Sequence, residues 1–385
     1  RPAPPGNPRA APAGPPPPPA PPGPVLREAA AGYWWRRGLR THPEDVVAAP
    51  GAPALLLALL AAHGGDLLLP RPCPAWWTPQ ARLLGRPAYH VPTPAEAGGV
   101  PDPYALLETV RRIRAEGGDP RVLLLSVADD PTATVPAPEL VREACEAAVA
   151  EGLHVISDET WRDTLHHPHD TVLLSPAEMC PDDVTVLADL GGALTPAAWP
   201  CAVARFPPTD PSRADRWTDR RARVLDVLTT LGALVPGPVA PAMAHALDEP
   251  EDVTGQARRA AAVHGRLAAA AHRTVLAAGA LARPPRAGRH LYADLGPLRA
   301  GLAARGVTDS LELESHLTAR LRAPVTGGHR FGDELGALRV RFGTGMFLGT
   351  GAEERAETLA AENPVELPHV VRASAEFGRA LEELR

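Results

Sequence analysis

The chain has 385 residues, 45% of them hydrophobic and 22% charged, with a formal net charge of −6. That length allows one large or two coupled domains around a sizeable core. The mild acidity gives no general reason to expect nucleic acid or an anionic membrane surface as partner, and the longest apolar run, 52–62, is too short to span a bilayer. All 39 basic residues are arginine; the sequence contains no lysine. Cys73, Cys145, Cys180 and Cys201 lack CxxC spacing, which argues against a disulfide framework or a zinc site. No basic segment followed by an apolar one opens the sequence, so the cytoplasm is the expected location.

Residues 1–24 hold thirteen prolines among Ala and Gly and are expected to be a solvated, Pro-rich disordered tail. Order is expected from Val25, with an amphipathic helix ending at Gly38. From Pro43, short apolar strands alternate with helices. The predicted strands are 46–49, 66–69, 87–91, 122–127, 153–157 and 184–187. The predicted helices are 54–63, one beginning at Gln80, 103–116 and 138–151. Continuous apolar strands separated by helices point to the α/β class, a parallel sheet covered on both faces. After about residue 240 the pattern changes to a long Ala-rich helix over 253–279, then strand 290–294, helix 311–322, strand 338–342 and helix 374–385. The domain reading is therefore a tail over 1–24, a large α/β domain over 25–240 and a smaller α+β domain over 241–385.

In an open parallel sheet, ligands bind at the carboxyl ends of the strands. Four predicted strand ends carry suggestive residues: Gly51, Asp129-Asp130-Pro131-Thr132, Ser157-Asp158-Glu159 and 189–194. RVLLLSVADDPTATV resembles the strand-plus-N-P-T-G segment of class I/II aminotransferases of pyridoxal-phosphate (PLP) fold type I. GLHVISDETWRD is similar to their SDE-x-Y-RD strand, and VTVLADLGGALTPAAWPCAVARFP to their cofactor segment. Three further pieces, around residues 33–47, 64–103 and 337–349, extend the resemblance over most of 33–350.

The resemblance implies a large PLP-binding domain, a small domain and a homodimer. It places Asp158 at the pyridinium nitrogen, Trp77 over the ring face, and Arg341 or Arg339 on a substrate carboxylate. Those two arginines share a strand face because they lie two apart. Other positions depart from the pattern. Aligning Trp199 with the family's tryptophan puts Gly192 at the lysine and Pro200 at a phosphate-binding arginine. Asp189 stands where a small or hydroxyl residue usually helps bind the phosphate, and Ala52-Pro53 lacks hydroxyl and cation. Asp130 and Trp161 replace the Asn and Tyr that meet the ring oxygen.

Losing the lysine removes both the covalent anchor and the general base of transamination. Ordinary transamination is therefore not expected, and three functional readings stay open. One is non-covalent binding of PLP or pyridoxamine phosphate. Another is PLP-independent chemistry on a carboxylate or amino-acid-like metabolite, with Asp130, Asp158 and Asp189 as acid/base candidates. The third is a non-catalytic partner of an active aminotransferase. The bland alternatives are a buried Asp158 capping a loop, Trp77 and Trp161 as core or cleft aromatics, and Arg341 as a structural ion-pair residue. His166-His167-Pro168-His169-Asp170 is read as a solvated loop, with no metal expected.

Overall fold

The structure, a computed structural model, describes residues 23–191, 194–196, 198–208 and 214–385. Apart from Gly23 and Pro24, the expected Pro-rich tail lies outside the described residues, and so does Gly192. Seven strands form the larger sheet: β1 (Val46–Ala49), β2 (Asp66–Arg71), β3 (Ala88–Pro92), β4 (Pro120–Ser126), β5 (His154–Asp158), β6 (Val184–Asp189) and β7 (Ala202–Arg205). Their order is β1-β7-β6-β5-β4-β2-β3, and neighbours from β6 to β3 are parallel. β7 runs antiparallel to both β1 and β6, so the expected parallel sheet carries one reversed strand.

Strand alternation divides the core. On β4, Leu123 and Leu125 join one buried cluster, with the helices Pro24–Trp35, Pro103–Ala115 and Pro138–Ala150. Val122 and Leu124 join the other, beneath the helices Ala52–His63 and Trp77–Leu83. The helix Ala52–His63 starts with proline in its first turn, where a missing N–H costs nothing. It stops at Gly64 and Gly65, both with positive φ. A Cβ on Gly65 would fall 2.0 Å from Arg121 Cγ, so the close approach of β4 also demands glycine there.

The smaller sheet holds β8 (Leu281–Ala282), β9 (His290–Asp294), β10 (Val325–Gly327) and β11 (Arg339–Gly343), ordered β10-β11-β9-β8 and antiparallel throughout. The helices Glu251–Ala277, Ser310–Leu321 and Pro368–Glu382 pack around it, and Phe377 meets Phe342 and Phe347 edge-on. The division expected at residue 240 passes through the helix Val239–Leu247, whose Met243, Ala244 and Leu247 belong to the first large-sheet cluster. The helix Ala214–Thr230, absent from the sequence reading, packs on Ala52–His63.

Candidate functional site

Because β4, β5 and β6 are adjacent and parallel, their carboxyl ends lie side by side; Ser126 is level with Asp158, and Asp158 with Leu187. The loop after β4 carries Asp129 and Asp130, β5 ends on Asp158, and β6 ends on Asp189. Arg339 and Arg341 come from β11, on the face opposite its buried Val340 and Phe342. The start of the helix Ala52–His63 adds backbone amides.

Asp158 is 6% exposed, and its Oδ1 accepts from the Thr160 amide at 2.9 Å. No cation among the described residues pairs with it. Burial pushes its carboxyl up to about 7, with repulsion from Asp189 and Asp130 adding to the effect, while hydrogen bonds from Thr160 pull the other way. Asp129, also buried, is pushed up to about 6 by burial, against hydrogen bonds from Ser126 (2.6 Å) and Thr132 (2.5 Å). That network fixes the loop that carries Asp130, and the Asp130–Pro131 peptide is cis.

Asp189 is committed to backbone. Its Oδ2 accepts from the Ala52 amide at 2.7 Å, and its Oδ1 from the Gly191 amide at 2.8 Å. Its own amide donates to Thr160 Oγ1 at 3.0 Å. Gly51, at φ +99°, turns the chain so that the first helical amide points at this carboxylate. Burial pushes the Asp189 carboxyl up, and the two amides oppose it. A helix N-terminus is a natural anion seat, and here a side chain of the same chain sits in it.

A second pairing spans the two sheets. Asp130 Oδ1 lies 2.5 Å from Arg341 Nη1 and 3.7 Å from His290 Nε2. The His290 ring also reaches the Asp129 carbonyl at 3.2 Å, and burial lowers its pKa, favouring the neutral imidazole. Trp161 packs edge-on against His290 with ring centroids 5.9 Å apart. The guanidinium of Arg341 stands 5.0 Å over the Phe331 ring. Arg339 is held by Asp294 (3.1 Å) and Asp333 (3.0 Å), and Tyr292 donates to Asp333 at 2.6 Å.

The sequence candidates therefore separate. Asp158 and Asp189 are linked through Thr160, and Asp130 is linked directly to Arg341 and, through His290, to Trp161. Trp77 is instead 1% exposed in the cluster under Ala52–His63, leaving no open face for a ring to stack on. His290 lies in none of the motifs, and Thr160 fills the unspecified position of the SDE-x-Y-RD stretch, so neither is marked by the sequence. His166 is hydrogen-bonded to the Gly288 and Pro285 carbonyls, in the segment between β8 and β9. No group of three His, Cys, Asp or Glu among the described residues could hold a metal ion, and no described helix is long and apolar enough to cross a membrane.

A mainly parallel sheet with acidic strand ends, faced by a smaller antiparallel body, is the architecture of the aspartate aminotransferase fold. The chain belongs to the aminotransferase class I and II family, which residues 21–298 match. It is 28% identical to a probable aspartate/prephenate aminotransferase of Thermus aquaticus over 178 residues, 45% of this chain and 44% of that protein. The chain thus aligns with less than half the length of that curated relative. Among solved structures, the aspartate aminotransferase from Thermus thermophilus with maleate superimposes with a TM-score of 0.71 at 20% identity, covering 94% of this chain and 83% of the other. The aromatic aminotransferase from Pyrococcus horikoshii gives 0.72 at 20% identity, covering 94% and 86%.

Proposed function

We propose that this chain is a member of its family that does not run lysine-dependent transamination, and that its cleft takes a small carboxylate-bearing or amino-acid-like molecule instead. The observation that carries this reading is the Asp189 carboxylate bound to the amides of Ala52 and Gly191. The family is PLP-dependent, and PLP would require a primary amine, an anion seat for its phosphate and a carboxylate for its ring nitrogen. Asp158, buried without a cation, suits the last of these. The other two requirements fail. The 385 residues contain no lysine, and Gly192 is our alignment for its position. At the helix N-terminus a dianionic phosphate would meet a carboxylate in place of free N–H groups. The residues present therefore do not fit PLP.

Arg341, expected to grip a substrate carboxylate, is already neutralised by Asp130. A relative solved with maleate favours a carboxylate as the ligand's chemistry. Asp158 is the proton-handling candidate, because a carboxyl near pKa 7 exchanges its proton at neutral pH. Two titrations test the reading. Added PLP or pyridoxamine phosphate should give no saturable absorbance change, whereas small carboxylates should raise the melting temperature through binding to the folded state. Saturable PLP binding, or no carboxylate effect from a broad panel, would refute it.

A further inference from the structure

Beside the strand-end site, a cavity of about 430 Å³ opens between the ends of β2 and β3 and the strands β9 and β11. That volume suits a small metabolite. Three guanidinium groups line it, and they differ in what they have left to offer. Arg339 is taken up by Asp294 and Asp333. Those two acids are also occupied, Asp333 by the Tyr292 hydroxyl and Asp294 by the Gly296 amide at 2.8 Å. Arg71 faces only Glu334, an 82% exposed side chain 3.8 Å away.

Arg283 differs from both. Its Nη2 donates to the Pro94 carbonyl at 3.0 Å, which fixes the side chain. Its Nη1 is buried and has no hydrogen-bond partner among the described residues. That nitrogen is shielded from the cavity, but no carboxylate among the described residues pairs with Arg283, so the charge of its guanidinium is left for an anionic oxygen in the cavity to meet. Three arginines against two aspartates leave the lining one positive charge in excess. Pro72, Pro92, Leu281 and Ala282 add apolar wall, and Thr93 and Thr132 add hydroxyls.

We propose that this cavity binds a small molecule bearing a carboxylate on a compact apolar body, with the Arg283 guanidinium receiving the carboxylate and Arg71 as the second cation. The inference rests on the carboxylate-ligand reading above and deepens it. It assigns the acid group to Arg283 instead of Arg341, whose charge Asp130 already meets.

The probe is 3-phenylpropionate, titrated calorimetrically into the full chain, with 3-phenylpropanol as the uncharged control. The acid should saturate one site and the alcohol should bind at least tenfold more weakly. Arg283→Leu should weaken the acid at least tenfold, while Arg341→Gln should leave it within about threefold. If Arg283→Leu does not fold, Ala95→Trp, an exposed lining position where the added ring crowds the cavity, should abolish acid binding. Acid binding that survives Arg283→Leu or Ala95→Trp but is lost in Arg341→Gln would overturn the assignment and leave the carboxylate reading standing. If neither 3-phenylpropionate nor succinate binds the wild-type chain, both fall.

Discussion

Replacing Asp158 by Asn should stabilise the protein above neutral pH, the reverse of what a structural ion-pair residue would do. The folded carboxyl is held at about 7, against about 3.9 in an unfolded chain. At about 1.4 kcal/mol per pH unit, keeping it ionised in the fold at pH 8.5 costs at most about 4 kcal/mol. Water penetration and relaxation reduce this, so a gain of about 1–3 kcal/mol is expected. Asn keeps an oxygen for the Thr160 amide, so little else is lost. The sign follows from proton binding: between pH 4 and 7 the folded state holds a proton that the unfolded state has released. The contribution of Asp158 therefore falls as pH rises through that window. Asp129, pushed up to about 6, acts in the same direction. Buried His264, lowered to about 3, opposes them, because the unfolded state takes up its proton below about pH 6.5. The diagnostic quantity is therefore the difference between variant and wild type. Urea denaturation at half-unit steps from pH 4.5 to 8.5 should give a difference near zero at the acid end, growing to its full value above pH 7.5. A variant less stable than wild type at pH 8.5 would refute the placement of Asp158 as a buried carboxyl without a counter-charge.

Asp130→Asn should free Arg341 from its 2.5 Å ion pair; succinate should then raise the variant's melting temperature more than the wild type's, and equal shifts would count against it. Gly65→Ala should cost at least about 1–2 kcal/mol from its left-handed backbone alone, with more from the Arg121 contact, measured by urea midpoint. Phe377→Ala should cost about 3–5 kcal/mol, because the ring is buried against Phe342 and Phe347; a loss below 1 kcal/mol would contradict the packing of the smaller sheet.

The strands that could be read from sequence are those whose signal is local. β4 to β6 are apolar runs ended by Gly, Pro or acids, and β9 was expected over the same residues that form it. β7 is not among the predicted strands, because its reversed place is set by pairing with β6 and with β1, which lies far from it in sequence. The helix Ala214–Thr230 was missed because its Arg- and Asp-rich sequence resembles a solvated segment. At the site, residue types at the strand ends could be read from sequence, but their partners could not. Asp189 and Ala52 are 137 residues apart, and Asp130 and Arg341 are 211 apart. Only folding shows that the carboxylates fill the anion-binding positions of their own cleft. Trp77, an aromatic at the position the resemblance marks, is buried in the core, the bland alternative that the sequence also leaves open.

The claim that Asp189 occupies the anion seat is tested most directly by equilibrium dialysis of PLP against the wild-type chain and Asp189→Ser in parallel. The wild type should retain no PLP above background. The variant, with the Ala52 and Gly191 amides released, should bind it reversibly and without a covalent adduct after borohydride treatment. Equal retention by both proteins, or a borohydride-fixed pyridoxyl group on the wild type, would contradict the account.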